Sequence, residues 1–552
     1  MSNLPRVPPA PSRTAVEPPV ESPEPRGEAA PDDDPVRPRT IRTTTLAALV
    51  ARIAEATGIA PELLGDPATT VHGATLRAHE ARPGDLFAAL PGASAHGADF
   101  AAQALDRGAA AILTDAAGAT RDVVGTVPVL VHPDPRAALG PASSLIHGDP
   151  STHLALLGVT GTSGKTTTVY LLEAALAAAG ATTGLIGTIE TRMRGRHVPS
   201  AFTTPEAPDL QRLLATMVEQ GVTHAAMEVS SHALAQGRVG GTAFAVGAFT
   251  NLSAEHLDFH PTMEDYFAAK ARLFDGRAAH HVVCVDDEWG PRLVRPGTVT
   301  VSATGVGADW TAADVVARPD GTQTFRALGP GGLDLPVELR LPGGFNVANA
   351  LVALACGQAA GLDPAALAAG LAAVTVPGRM QRVDAGQPFL AVVDYAHKPA
   401  AVQALLTTLR EEAGQGRRSD GGPAGRLLTV LGCGGDRDRE KRPVMGALAA
   451  QLSDLAWITD DNPRSEDPAA IRAAMLDGAR SAEGARATVI EEGDRRTAIR
   501  AAVAAARPGD VVVVAGKGHE PGQKVGAETL PFSDVDELRA ALADPALRED
   551  PA

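Results

Sequence analysis

The chain has 552 residues, a net charge of −16, 44% apolar residues and only 3% aromatic residues. Its length exceeds what one hydrophobic core sustains, so about three domains are expected. The acidic balance and the shortage of stacking rings exclude nucleic acid as a main partner. Cys284, Cys356 and Cys433 lie far apart without metal-ligand or disulfide spacing. No apolar run reaches the roughly 18 to 20 residues that span a bilayer. A cytoplasmic protein with no membrane insertion is expected.

Residues 1–40 hold eleven prolines among Glu, Asp and Arg, too little apolar surface to form a core, and read as a disordered tail. From Thr43 onward Leu46, Leu49, Val50 and Ile53 fall at helical spacing, with Gly58 as a stop signal. Asp85 to Phe87 and Ala109 to Leu113 read as strands of a small α/β domain over 41–150. The apolar run Leu154 to Val159, a glycine-rich turn and a helix from Lys165 towards Gly180 form the strand, phosphate loop and helix that open a parallel sheet. That central domain is assigned to 151–376. Beyond it, Leu390 to Val393, Leu427 to Leu431, Leu455 to Ile458, Val489 to Ile490 and Val511 to Val514 alternate with helical patterns. This spacing predicts a doubly wound, Rossmann-like domain over 377–552. Residues 412–425 read as a mobile surface loop, and no internal repeat is present.

The turn, GVTGTSGKTTT at 158–168, carries the strongest chemical signal. Only six of the 49 basic residues are lysine, and Lys165 is one of them. Backbone N–H groups of such a turn and the N-terminus of the following helix suit a triphosphate. Lys165 would reach the outer phosphates and the Thr166 hydroxyl would bind Mg²⁺. The spacing departs from the usual loop, which has glycine six positions before the lysine; Val159 stands there, and the glycines are Gly158, Gly161 and Gly164. The alternative is a plain glycine-rich strand-to-helix turn.

This variant loop resembles that of the Mur ligases, which build the peptide of bacterial cell-wall precursors, and of their relatives the folylpolyglutamate synthetases. Further motifs narrow the resemblance: TTPE (203–206), MEVSSHAL (227–234), QGR (236–238), NLSAEHLDFH (251–260), AAKARLF (268–274), FNVANAL (345–351), GRMQRV (378–383), DYAHKP (394–399), GCGGDRDREKRP (432–443), DNPR (461–464) and GKGHE (516–520). They occur in the order found in tripeptide-forming Mur ligases, and the resemblance covers about residues 43–545.

The resemblance implies three domains: an N-terminal UDP-binding domain, a central ATPase-like parallel sheet and a C-terminal domain that binds the added amino acid. It implies an ATP- and Mg²⁺-dependent ligase that phosphorylates a side-chain carboxylate and lets an amine attack the acyl phosphate. Lys165, Lys270 and His256 would be catalytic. Gly161, Thr162, Gly164, Lys165, Thr166 and Thr167 would hold ATP phosphates, Asn346 and Asn349 the adenine side, and Arg379 and Asp394 would close over ATP with His397 beside them. Lys398 stands at a variable position and receives no role. Thr166, Glu228 and His256 would bind Mg²⁺, and Lys270 matches a carbamylated lysine. Thr203, Thr204, Ser230, Gln236 and Arg238 would hold the UDP-muramoyl-dipeptide. Arg437, Asp461, Asn462, Arg464, Gly516 and Glu520 would form the pocket for meso-diaminopimelate.

Each assignment has a plainer alternative. Glu228 is a solvated acid or, among Ala225, Ala226, Met227 and Val229, a carboxylate on a buried strand. His256 competes with an ordinary hydrogen-bonded core histidine, and Lys270 with a snorkelling lysine. TTP and QGR also suit a helix cap and a surface turn. Arg464 would bind the second carboxylate that distinguishes diaminopimelate from lysine, with Glu520 pairing the distal ammonium; its alternative is a surface bridge to Glu466.

Three departures from the family pattern stand out. Arg77, Ala78 and His79 replace the usual Asp-Ser-Arg, which puts the uridine contacts in question. Gln381 replaces a glutamate and Glu440 a glycine. Rival readings are a lysine-adding or folate-extending ligase and a non-catalytic ATP-binding regulator. No partner beyond small substrates is implied, and a monomer is expected.

Overall fold

The computed structural model describes residues 36–199, 202–305, 307–318, 320–415 and 424–547. Three sheets organise it. The first has five strands in the order Glu62–Leu64, Val129–Val131, Ala111–Thr114, Asp85–Ala89, Gly73–Thr75, all parallel except the first pair. The helix Leu46–Thr57 lies on it as the 3.6-residue pattern predicts, capped by the Thr45 hydroxyl and ended by Gly58 at φ 75°. Leu46, Leu49 and Ile53 are fully buried in this core.

The second sheet has eleven strands, and its middle is parallel: Thr183–Ile186, His224–Glu228, Ala155–Thr160, Phe244–Phe249, Ala278–Cys284, Val299–Ser302, Trp310–Ala317. Strands buried on both faces read as continuous apolar runs, which is why Leu154 to Val159 is legible in the sequence. Two antiparallel strands at each edge extend the sheet; Gln323–Gly329 and Leu333–Leu339 form the longer pair. The sequence reading assigned no strands in that longer extension, because its alternating polar and apolar residues face solvent on one side.

The third sheet runs Gln381–Arg382, Leu390–Asp394, Val511–Ala515, Leu427–Cys433, Leu455–Asp460, Thr488–Glu491, parallel after its first strand. Helices cover both faces. One core holds Val402, Leu406, Met445 and Met475, and the other Ile499, Ala502, Leu538 and Leu542. This is the expected doubly wound arrangement.

Two local expectations change. The expected tail reaches residue 40, and its residues 1–35 lie outside the described residues. Within 36–40, however, Val36 packs against the central core, and the backbone N–H groups of Arg39 and Thr40 donate to the Glu219 carboxylate at 2.7 and 2.8 Å. One carboxylate that takes two N–H donors and the Thr40 hydroxyl overrides a composition that favours disorder. In the expected loop at 412–425, residues 412–415 continue the helix Pro399–Gln415, while 416–423 lie outside the described residues. The first and second sheets meet where helix Pro135–Ile146 packs on helix Ala207–Glu219. A Cβ on Gly140 would stand 2.5 Å from the Gly240 carbonyl carbon, so only glycine permits that approach.

All three cysteines are free and buried. Burial pushes the thiols of Cys284 and Cys433 up to about 12, so neither is a nucleophile at neutral pH.

Candidate active site

In parallel α/β sheets, ligand sites form beyond the carboxyl ends of the strands. The phosphate loop leaves the carboxyl end of Ala155–Thr160 between two neighbours in register: Val159 opposite Glu228 on one side, Thr160 opposite Phe249 on the other. The loop is braced from the second neighbour. The Thr250 hydroxyl and Asn251 Nδ2 donate to the Ser163 carbonyl at 2.7 and 3.1 Å, and Asn251 Oδ1 accepts from the Ser163 N–H at 2.9 Å. Gly164 precedes the helix Lys165–Ala178 in the left-handed region, φ 84°, and a Cβ there would meet Asn349 Oδ1 at 2.4 Å. Backbone conformation and close approach together explain why the loop needs glycine at 164 whatever the spacing of its other glycines.

Two lysines converge on this loop. Lys165 Nζ donates to the Gly161 and Thr162 carbonyls at 2.9 and 2.8 Å. Lys270, 1% exposed, donates to the same Gly161 carbonyl at 2.6 Å and lies 4.5 Å above the Tyr266 ring. Burial lowers the pKa of both, Lys270 well below the ordinary lysine range with Lys165 adding to the effect. No carboxylate lies within ion-pair distance of Lys270 among the described residues. It is therefore not a snorkelling lysine, because its amine sits in the interior.

Glu228 is on a buried strand and is not a solvated acid. At 1% exposure, it accepts from the Thr166 hydroxyl at 3.0 Å and from the Thr188 N–H and hydroxyl at 2.8 and 3.1 Å. A hydroxyl and a carboxylate side by side beneath a phosphate loop suit Mg²⁺, which takes one or two protein oxygens and completes its shell with phosphate and water. His256 has φ 57°, and burial pushes its imidazole down to about 4, so the ring is the neutral form that ligates metals. It packs edge-on at 4.7 Å from His232. Among the described residues no three His, Cys, Asp or Glu side chains gather into a group that could hold a metal ion by themselves.

The substrate-side residues also gather. Thr204 Oγ1 donates to the Glu228 carbonyl at 2.9 Å and accepts from the Ser230 N–H at 3.1 Å, tying that segment to the end of the Glu228 strand. Arg238 donates to Gln236 Oε1 and the Thr204 carbonyl, pairs with Glu206 at 3.0 Å and covers the Phe202 ring. Thr203 lines an adjoining cavity of about 300 Å³ with Thr188, Glu190 and His197. Asn346 and Asn349 are buried at 1% and 4%. Their amides bond to the Pro342 carbonyl, to each other and to Thr168 of the helix that follows the loop.

The third sheet contributes from its own carboxyl ends. Asp394 ends one strand, accepts from the Met380 and Ala396 N–H groups at 2.7 and 2.8 Å, and has its pKa raised by burial against the pull of Arg379. Arg379 lies over the Tyr395 ring. Lys165 feels the charges of both Arg379 and Lys398, which places the third domain at the phosphate loop. Lys398, to which the sequence reading gave no role, pairs with Glu255 across this cleft.

Asp461 and Asn462 follow the Leu455–Asp460 strand, and Gly516 follows Val511–Ala515. Asn462 Nδ2 donates to Glu520 Oε2 at 2.9 Å. Arg464 is half-buried at φ 52°, its N–H bonded to the Lys524 carbonyl and its Nη1 to the Gly435 carbonyl. Glu466 pairs with Arg442 and Arg439, so it is not Arg464's partner. Asp436 feels the charge of Arg464, but its carboxylate is bonded to Ser465, and among the described residues no acid lies within ion-pair distance of the Arg464 guanidinium. Arg437 is the exception: it is exposed and makes no hydrogen bond or ion pair among the described residues.

The structure adds residues that sequence reasoning passed over. Lys517, inside GKGHE, is 0% exposed and bonds Asn462. The scarcity of lysine that marks Lys165 also marks Lys398 and Lys517, and that signal was available. The brace residue Thr250 had none, whereas Asn251 opens the motif NLSAEHLDFH. Of the substitutions in the family pattern, Gln381 still accepts from the Gly378 N–H at 2.7 Å, and Glu440 is exposed at a helix start. Arg77 pairs with Glu80 and Asp209.

The chain matches the Mur ligase family catalytic domain over 70–147, the Mur ligase middle domain over 159–357 and the Mur ligase glutamate ligase domain over 378–518. It is 54% identical over 473 residues to the UDP-N-acetylmuramoyl-L-alanyl-D-glutamate--2,6-diaminopimelate ligase of Corynebacterium efficiens, covering 84% of this chain and 88% of the relative. It is 51% identical to the Streptomyces coelicolor protein of the same name, over 92% of this chain and 98% of the relative. A solved structure of a ligase of that name superposes with a TM-score of 0.64 at 32% identity, covering 91% of this chain and 99% of the other. With these matches along nearly its whole folded length, and with the braced loop and the two lysines that converge on it, the chain belongs to the Mur ligase family.

Proposed function

We propose that the protein joins meso-diaminopimelate to the D-glutamyl side-chain carboxylate of UDP-N-acetylmuramoyl-L-alanyl-D-glutamate, at the expense of ATP, in cytoplasmic synthesis of peptidoglycan precursors. The observation that carries the choice of amino acid is Arg464: a guanidinium bonded to the Gly435 carbonyl, with no acid in ion-pair distance among the described residues, beside the Asn462–Glu520 pair. A second carboxylate on the incoming amino acid supplies the missing partner. Lysine has none to offer. The names of the relatives at 51–54% identity support the same substrate.

In the first half-reaction the substrate carboxylate attacks the γ-phosphorus and ADP leaves. In the second, the amine attacks the acyl carbon, loses a proton and expels phosphate. Lys165 moves from the loop carbonyls to the transferring phosphoryl group and offsets its charge there. Thr166, Glu228 and neutral His256 would hold Mg²⁺, which neutralises phosphate charge when bound. Arg379 and Asp394 close the site from the third domain and exclude the water that would hydrolyse the acyl phosphate. Asn346 and Asn349 would line the adenine side.

Lys270 is carbamylated in this reading: its nitrogen bonds CO₂ and releases a proton. That reaction needs a neutral amine, which burial favours. Protein equilibrated with ¹³C-bicarbonate is expected to show a carbamate carbon signal that Lys270→Ala lacks. An identical signal in that variant would remove Lys270 as the modified residue.

The test of the activity is product identification. With ATP, Mg²⁺, the UDP-muramoyl-dipeptide and meso-diaminopimelate, the expected product is the UDP-muramoyl-tripeptide linked through the D-glutamyl side chain, formed with one phosphate per peptide bond. ATP binding without tripeptide would favour a regulator.

A further inference from the structure

We infer that Lys517 is a positioning residue of the amino-acid pocket, one that sets the orientation of Asn462 and Glu520 towards the incoming diamino acid. This rests on the pocket assignment above and deepens it.

Lys517 follows the central strand Val511–Ala515 of the third sheet, and its side chain is 0% exposed. The ammonium donates to Asn462 Oδ1 at 2.9 Å and Glu520 Oε2 at 3.3 Å, and stands 3.5 Å from Asp461 Oδ1. These are three pocket residues from two loops, gathered around this one cation. A lysine ammonium has three donors and no acceptor; two of these oxygens accept a hydrogen bond from it, and Asp461 Oδ1 lies only at ion-pair distance.

The consequence for Asn462 is a fixed amide. Its Oδ1 accepts from Lys517 Nζ and from the Lys524 N–H, both at 2.9 Å, while its Nδ2 donates to Glu520 Oε2. Flipping the amide would set Nδ2 against two donors and Oδ1 against a carboxylate oxygen. The consequence for charge is that Asp461 and Glu520 are held close with one ammonium between them. The neighbouring cations face elsewhere. Arg495 is bound bidentately by Asp534 at 2.7 Å, and Lys441 donates to the His397 carbonyl.

Asp461 Oδ1 is buried and makes no hydrogen bond among the described residues, although the Lys517 ammonium stands at ion-pair distance. Buried acceptors are normally satisfied. An open carboxylate oxygen within a fixed set of acceptors is a seat for a ligand ammonium. Lys517 holds that set in place from a fully buried position.

The experiment uses the full-length protein with Lys517→Met, which removes the cation at nearly constant volume, and Lys517→Arg, which keeps the charge but holds its donors in a plane that the three oxygens do not share. Phosphate release gives KM for meso-diaminopimelate and for ATP. The expected result is a diaminopimelate KM raised about 10- to 100-fold, the usual effect of removing a supporting hydrogen-bond partner, with the ATP KM within about twofold of wild type. A diaminopimelate KM unchanged in a variant that keeps its ATP KM overturns the inference. Equal loss of both substrates in both variants assigns Lys517 to the fold and also overturns it. If the wild type itself shows no phosphate release with diaminopimelate, the pocket assignment fails first, and that result is distinct from either.

Discussion

Lys165→Ala is expected to reduce ATP-dependent phosphate release by about three powers of ten while leaving the protein folded. Removing a preorganised charge-stabilising group from a phosphoryl-transfer site costs about 10²- to 10³-fold in kcat, and Lys165 is the cation that the loop itself directs at the phosphates. Folding is spared for a reason visible in the site. Lys165 donates to the Gly161 and Thr162 carbonyls, and Lys270 donates independently to Gly161. The loop is also tied to Thr250 and Asn251. Circular dichroism should therefore match wild type while nucleotide-dependent turnover disappears. A Lys165→Ala protein that retains a tenth of the activity would remove the loop from the chemistry.

The second large effect is on choice of amino acid. Arg464→Lys is expected to lower kcat/KM for meso-diaminopimelate about 100-fold, leave the KM for ATP unchanged and bring diaminopimelate and lysine close to parity. A lysine ammonium at 464 cannot bond the Gly435 carbonyl and also grip a carboxylate with two parallel donors. The magnitude is smaller than a fully buried arginine would give. Such an arginine, left unpaired in a lysine-loaded pocket, costs about 3 to 5 kcal/mol, but the Arg464 side chain is half-buried and water offsets part of that loss. About 2 to 3 kcal/mol is the better expectation. Measuring kcat/KM for both amino acids with wild type and variant checks it. An undiminished preference for diaminopimelate in the Arg464→Lys protein would move recognition elsewhere.

Most of the architecture was legible in the sequence because parallel strands buried on both faces are short unbroken apolar runs. The five such runs beyond residue 377 became five adjacent strands, and the motif residues at their ends came together because all point to one edge. What was not legible had a physical cause. The edge strands from Trp310 to Leu339 are half-exposed, so their pattern resembles that of a polar loop. Residues 36–40 are held by distant partners, Val36 on the central core and Arg39 and Thr40 on the Glu219 carboxylate, which no local reading anticipates.

Within the site, residue type was informative where chemistry required it, as with Glu228, Lys165 and Lys270. Arg437 lies exposed on its turn and makes no hydrogen bond or ion pair among the described residues. Residue type was silent on the brace Thr250, whose value depends on which loops the sheet brings together. Backbone strain provided a further mark. Four of the seven non-glycine residues with positive φ among those described, His256, Met380, Asp436 and Arg464, sit at or beside the proposed site. Such conformations cost of order 1 to 3 kcal/mol each and persist where surrounding contacts impose them.

The central claim is that a guanidinium at position 464, placed beside an ATP cleft, selects an amino acid with a second carboxylate. The most direct measurement is the ratio of kcat/KM for meso-diaminopimelate to that for L-lysine in the wild-type protein, read by phosphate release with saturating ATP and UDP-muramoyl-dipeptide. A ratio of about 100 or more is predicted. A ratio near one, or a preference for lysine, would contradict it.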